Sequence, residues 1–173
     1  MSRSRVYQVV GKGPNLENDD PESDLDANHD IGIISPYVAQ TQLLINTFES
    51  GWAAKRLSKV LGRSRASELQ AVEISTVDRF QGREKKVIIL STVRSNRAGR
   101  IGFLTDKRRL NVALTRAKGA LFVVGNKDTL TLAAGNDWME MDPDPDAGIW
   151  RRFLIWCEQR GLVREWKQGT GGV

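Results

Sequence analysis

An arginine can stabilise negative charge on a phosphoryl group when a packed element holds its planar donors in place. Arg116 is the residue of this chain best suited to that work. It lies in RRLNVALTRAKGALFVVGN (108–126), where Leu110, Ala113, Leu114 and Ala117 recur at i, i+3, i+4 and i+7. That spacing predicts one apolar stripe of a helix running from about Asp106 to Lys118. Arg109, Val112 and Arg116 form a second stripe beside it, so Arg116 is expected on a packed helix. The plainer reading of Arg116 is a surface ion pair, worth little to stability.

Three other polar segments carry residues of the right type for binding. TVDRFQGRE (76–84) holds Gly82, which permits close backbone approach or a positive φ, and Glu84, which can accept hydrogen bonds from a ribose hydroxyl. The same segment also reads as a tight turn between strands, with Glu84 paired to Arg83 or Lys85. STVRSN (91–96) places Ser91, Thr92, Arg94 and Asn96 at the end of an apolar strand, where hydroxyls and a guanidinium suit phosphate and sugar contacts. Ser95 and Asn96 serve equally as a strand end meeting water. SPYVAQ (35–40) offers Ser35, Tyr37 and Gln40; Tyr37 can stack on a base or pack into the core at the start of a helix.

These segments need a scaffold. IGIIS (31–35), VEISTV (72–77), KKVIILSTV (85–93) and ALFVVG (120–125) read as strands, most of them continuously apolar as in a sheet buried on both faces. Helical patterns alternate with them at 37–62, 106–118 and 126–134, and IWRRFLIWCEQRG (149–161) predicts a last amphipathic helix. Its Trp150, Phe153, Leu154 and Trp156 are expected to pack on the sheet edge or to meet another domain. The alternation implies an α/β fold, a mostly parallel sheet with helices on both faces. In such sheets ligands collect at the carboxyl ends of the strands, which is where the four polar segments are expected. RVYQVV (5–10) predicts a short strand, 11–30 an acidic flexible linker, 31–135 the α/β core, and 136–173 a C-terminal helix with a polar tail.

Composition narrows the partners. The chain has 173 residues, 40% hydrophobic and 27% charged, with a net charge of +5. Residues 1–30 carry seven acids against three basic residues, a net −4, which leaves +9 on the rest. A basic body suits a polyanion such as nucleic acid, and equally a surface charged for solubility. Only Cys157 and His29 represent the usual metal-binding and redox types, so neither a zinc cluster nor an internal disulfide is expected, and an intracellular setting, nucleus or cytoplasm, is. The longest apolar runs fall far below the roughly 18–20 residues of a membrane span, so no membrane partner is expected.

Taken together and in order, VDRFQGREKKVIILSTVRSN, GFLTDKRRLNVALTRAK and the VVGN strand resemble the second RecA-like domain of superfamily 1 helicases, a P-loop NTPase fold. The closest resemblance is to the branch of the nonsense-mediated-decay RNA helicase and senataxin, over roughly residues 31–130. SPYVAQ is similar to that family's motif IV, STVDRFQGRE to motif V and LNVALTRAK to motif VI. The resemblance implies that Gly82 and Glu84 meet ATP and that Arg116 is the finger on its γ-phosphate. It places Ser35, Pro36, Tyr37, Thr76, Val77, Thr92 and Arg94 along single-stranded RNA or DNA. It also implies hydrolysis of ATP with Mg²⁺ in a cleft shared with a first RecA-like domain, and translocation 5′ to 3′.

The chain departs from the family in one decisive respect. No G-x-x-x-x-G-K-[ST] is present: GKGPN (11–15) has one glycine before its lysine and no Ser or Thr after it. Without that loop nothing cradles the α- and β-phosphates or supplies the hydroxyl ligand of Mg²⁺. The QYRMHP-like segment that opens the second domain in the family is likewise not found, and the acidic stretch 11–30 stands where a covering helix is usual. The expectation is a helicase half, a fragment or truncated product not active by itself, with the first RecA-like domain supplied in cis. A stand-alone nucleic-acid-binding module and a degenerate relic are the alternatives.

Overall fold

The computed structural model describes residues 6–12, 26–132 and 148–166. In chain order its elements are β1 (Val6–Lys12), α1 (Ala27–Asp30), β2 (Ile31–Ser35), α2 (Val38–Glu49), α3 (Trp52–Leu61), α4 (Arg63–Ser67), β3 (Glu73–Thr76), β4 (Lys85–Ser91), α5 (Lys107–Leu114), β5 (Ala117–Gly125), α6 (Lys127–Leu132), α7 (Ile149–Gln159) and β6 (Val163–Trp166), with 3-10 turns at Glu68–Ala71 and Gly102–Thr105. The strands form one sheet in the order β3-β2-β4-β5-β1-β6. Strands β3, β2, β4 and β5 are mutually parallel, with Ile33 opposite Ile74 and Ile89, and Ile89 opposite Phe122.

The apolar runs of β2 and β4 are explained by burial on both faces. Successive side chains of a strand point to opposite sides. Ile34, Ile88 and Leu90 enter a large core with Val77, Phe80, Leu110, Val123, Trp150 and Leu154. Ile33 enters a second core with Ala27 and Val72, against which Ile89, Leu44 and Phe48 also pack. Helices α5, α6 and α7 therefore cover one face, and α1 and α2 the other, which makes the sheet α/β with helices on both sides. The stretch 11–30 contributes to that cover through α1, where Ala27 is buried and Asp30 meets Lys86 at 3.4 Å. The remainder of the acidic linker, 13–25, most of GKGPN, the DPDPD region and the terminal tail lie outside the described residues.

Several local expectations change. The helix expected over 106–118 stops at Leu114, because Thr115 caps it and the chain enters β5 at Ala117. Leu110 and Ala113 do form its buried stripe, whereas Ala117 is a strand residue and Arg116 sits in the turn between helix and strand. The single helix expected over 37–62 breaks at Ser50–Gly51, where Gly51 takes φ 71°. Part of the expected polar tail, Val163–Trp166, is instead a strand paired antiparallel with β1, and β1 pairs antiparallel with β5. The strand expected over 5–10 is β1, whereas β6 falls in VREW, whose alternating charges carry no apolar run for local pattern to report.

Cys157, on α7, is completely buried in the large core. Burial pushes its thiol up from an ordinary 9.0 to about 11, partly offset by the Arg160 charge and slightly reinforced by Glu158. A thiol whose folded pKa is raised contributes stability that is complete below pH 9 and is lost as pH rises through 11, because the unfolded chain then releases the proton first. The expected loss is roughly 2–3 kcal/mol across that window. Urea melts at pH 8 and pH 11 measure it, provided Cys157→Ser flattens the dependence; an unchanged dependence in the variant would sink the assignment.

Candidate functional site

The four polar segments do not share one edge. β3 and β4 both run parallel to β2, so the link between them must cross from the carboxyl end of β3 to the amino end of β4. TVDRFQGRE makes that crossing. Its Thr76 is level with Ser35 at the carboxyl edge, while Glu84 immediately precedes Lys85 at the amino edge. A seven-residue strand separates the two edges by roughly 20 Å. Buried Val77 and Phe80 anchor the crossing in the large core. Arg116 precedes β5, which is parallel to β4, and so belongs to the amino edge with Gly82 and Glu84.

At the amino edge the Lys85 amide donates to the Arg116 carbonyl at 3.1 Å, joining the end of the crossing to the α5–β5 turn. The Arg116 guanidinium donates from Nε to the Val112 carbonyl at 3.1 Å, from one terminal nitrogen to the Arg83 carbonyl at 3.5 Å, and from the other to Thr115 Oγ1 at 3.0 Å. Val112 lies in the last turn of α5, whose carbonyls carry the negative end of the helix dipole; its carbonyl also accepts from the Thr115 hydroxyl at 3.4 Å. Arg116 thus caps the helix, a structural role that the sequence pattern does not suggest. Its three bonds use one N–H on each nitrogen, leaving a second N–H on each terminal nitrogen for an anion. No carboxylate neutralises it among the described residues.

The rest of that edge is open. Gly82 has φ 80°, and no atom lies within 4 Å of where a Cβ would stand. Glu84 pairs with neither sequence neighbour; its Oε2 lies 3.7 Å from Lys118 Nζ, with both side chains about half exposed. The neighbours are taken by Glu73, which pairs with Arg83 and, at 3.2 Å, with Lys85. A loose exposed pair such as Glu84–Lys118 is worth little and is easily exchanged for a ligand hydroxyl. Among the described residues no group of three or more His, Cys, Asp or Glu side chains could hold a metal ion.

The carboxyl edge is built differently. Ser35, Val77 and Thr92, expected along a nucleic-acid strand, are buried side chains and support the edge from beneath. Ser35 accepts from the Tyr37 amide at 3.4 Å, and its carbonyl accepts from the Val77 amide at 3.1 Å. Thr92 donates to the Val124 carbonyl at 3.3 Å. Between Thr92 and Arg94 the chain makes a tight turn, with the Arg94 amide donating to the Thr92 carbonyl at 2.7 Å and Val93 at φ 66°. A β-branched residue there is strained, and the turn leaves Arg94 exposed at the strand end. Pro36, Tyr37 and Thr76 are half-buried; Thr76 Oγ1 accepts from the Arg79 amide at 3.3 Å. The Asn96 side chain clasps both main-chain polar groups of Arg100, at 2.8 and 2.9 Å.

Tyr37 organises the exposed groups. Its hydroxyl donates to the Ile101 carbonyl at 3.0 Å and accepts from Arg94 Nε at 2.6 Å. Phe103 stands edge-to-face against its ring at 5.5 Å, Arg109 lies 5.1 Å from the Phe103 centroid, and Asp78 holds Arg109 at 2.9 Å. SPYVAQ, the crossing, STVRSN and α5 are therefore joined by one line of contacts from Arg94 to Asp78. The helical spacing places Arg109 only on a stripe, and no periodic pattern singles out Phe103 or Asp78. The available signal was an isolated aromatic next to a glycine, in GFLTD, just ahead of the α5 cap.

A family described as an AAA domain matches residues 5–128, more than two thirds of the chain. The regulator of nonsense transcripts 1 homolog of Neurospora crassa is 48% identical over 101 residues, 58% of this chain and 8% of its own length. The ATP-dependent helicase upf1 of Schizosaccharomyces pombe is 37% identical over 135 residues, 78% of this chain and 12% of its own. The DNA polymerase alpha-associated DNA helicase A of Saccharomyces cerevisiae is 42% identical over 134 residues, 78% of this chain and 16% of its own. The chain belongs to this family, in the nonsense-mediated-decay branch of the superfamily 1 helicases. The helicase domain described here spans no more than 16% of the length of these three relatives. Among its described residues, no helix is long and apolar enough to cross a membrane.

Proposed function

We propose that this helicase domain is the second RecA-like half of an ATP-driven translocase, with the nucleotide at its amino edge and single-stranded RNA or DNA at its carboxyl edge. The observation that carries the reading is Arg116, held on the end of α5 with spare donors and no carboxylate counter-charge. A γ-phosphate would complete that site, and Arg116 would stabilise the charge that develops as the phosphoryl group transfers. ATP bound there, with Mg²⁺, supplies the free energy for movement. Glu84 would exchange Lys118 for a ribose hydroxyl, and Gly82 would admit the nucleotide against bare backbone. The sequence carries no G-x-x-x-x-G-K-[ST], so in this reading Mg²⁺ and the α- and β-phosphates would be held by a first RecA-like domain. Opening and closing of that shared cleft would step the pair along the strand, 5′ to 3′. The crossing 77–84, which touches both edges, would carry the coupling between them.

The test links a Walker-type first domain of this branch to the chain and measures ATP turnover with and without single strands. Turnover stimulated by nucleic acid supports the translocase reading. Salt-sensitive binding with no turnover would instead identify a stand-alone binding module, and absence of both a degenerate relic.

A further inference from the structure

Phe103 lies outside the residues that the family resemblance assigns, yet it is 52% exposed on the carboxyl edge. The surrounding structure fixes it there. Ile101 and Leu104, on either side, are each 5% exposed and packed in the large core. The buried Trp150 on α7 donates from Nε1 to the Leu104 carbonyl at 3.0 Å, pinning the 3-10 turn that presents the ring. Gly102 completes the arrangement at φ 55°; a Cβ there would stand 3.1 Å from the Tyr37 hydroxyl oxygen and 3.2 Å from a terminal nitrogen of Arg94. The turn therefore has little freedom to fold Phe103 inward, and no larger residue at 102 would let Tyr37 and Arg94 close beside it.

The ring is braced rather than loose. Tyr37 meets it edge-to-face at 71°, and the Arg109 guanidinium sits 5.1 Å from its centroid. Arg109 is itself oriented by Asp78 at 2.9 Å. An aromatic ring with fixed backbone, supporting contacts and half its surface in water is preorganised to receive another flat group. Its exposed sequence neighbours Arg100 and Arg108, and Arg94 across the turn, have no carboxylate partner among the described residues. A flat ring among unneutralised guanidiniums matches a ligand that alternates aromatic faces with phosphates.

We infer that Phe103 is a stacking platform for one base of the single strand, with Arg94 on an adjacent phosphate. This rests on the reading of the carboxyl edge as the nucleic-acid side. Stacking uses only the face of the base, so the contact tolerates any sequence, as a translocating protein requires. Arg109 and Asp78 connect the platform directly to the crossing that ends at the amino edge, so the base contact lies on the route between the two ligands.

The test uses the 173-residue chain and fluorescence-labelled single strands, oligo-uridine and oligo-deoxythymidine, each with and without a run of abasic residues, read by anisotropy over a salt series. Phe103→Ala and Phe103→Leu should weaken binding to base-bearing strands by about tenfold or more, with an unchanged salt slope. Phe103→Tyr should bind like the parent, and on abasic strands all four proteins should bind alike. Arg94→Ala should instead lower the salt slope on every strand. Whether RNA or DNA is preferred is read from the two arms. If the parent and Arg94→Ala behave as stated but Phe103→Ala or Phe103→Leu binds as tightly as the parent, the stacking assignment is wrong and the nucleic-acid reading survives. If the parent binds no strand even at low salt, both are wrong. Unchanged thermal melts of the Phe103 variants are expected, since the ring is half exposed, and a lowered melt would make Phe103 a structural residue and overturn the platform.

Discussion

In a chain joined to a Walker-type domain, Arg116→Ala should lower nucleic-acid-stimulated ATP turnover by about 10³-fold or more. The expected size follows from what the guanidinium would do in the proposed cleft: two directed N–H groups, in a site shielded from water, oppose charge that grows only in the transition state. Arg116→Lys should recover little of it, because an ammonium on a flexible stem cannot both bond the Val112 carbonyl and reach a phosphoryl group with planar donors. The helix cap predicts a second, smaller effect. Losing the bond to Val112 should cost about 1 kcal/mol in stability, visible in a urea melt but far too small to account for the loss of turnover. Single-strand binding by Arg116→Ala should match the parent, since the carboxyl edge lies roughly 20 Å away along β4. Turnover within tenfold of the parent would end the finger assignment and leave Arg116 as a cap alone.

Gly125→Ala should be among the most damaging single substitutions of this domain, although it adds only one methyl group. A Cβ at 125 would stand 2.0 Å from Thr92 Oγ1 and 3.2 Å from Thr92 Cβ. Thr92 is buried and its hydroxyl is bonded to the Val124 carbonyl, so it cannot simply swing into solvent. Either the threonine rotates and gives up its bond, or β4 and β5 separate where Ser91 faces Val124. Overpacking of this kind costs about 2–3 kcal/mol, which for a domain of this size lowers Tm by roughly 5–10 °C. Adding Thr92→Ala removes the atom in the way and should restore more than half of the loss. A double variant no more stable than Gly125→Ala would show that the damage lies elsewhere. The same substitution should weaken single-strand binding, because Thr92 is the first residue of the strained turn that aims Arg94.

Much of the domain is legible in the sequence. The apolar runs of β2 and β4 announce a sheet buried on both faces because each successive residue must enter one core or the other, as Ile33 and Ile34 do. Leu110 and Ala113 mark the packed stripe of α5, and Tyr37 and Arg94 are adjacent where the strand ends meet. Less was legible of the termini: β1 and β6 owe their places to antiparallel partners distant in sequence, Tyr7 to Gly125 and Val6 to Trp166. The roles of buried Ser35 and Thr92 were also hidden, since a hydroxyl at a strand end looks the same from the sequence whether it faces a ligand or a carbonyl beneath.

The sequence by itself determined the family, the alternation of strands and helices, and the residue types able to meet a phosphate or a base. Only the tertiary structure decided where those residues go. TVDRFQGRE is one continuous motif, but parallel strands oblige it to cross the sheet, so Thr76 and Glu84 end on opposite edges. Arg116 left its predicted helix because Thr115 stops α5, and the guanidinium then turned back onto the helix end. Spacing along a chain records neighbours on one element, whereas the edge a residue occupies depends on which strands pair and in which direction. That choice is made by contacts between residues far apart in sequence.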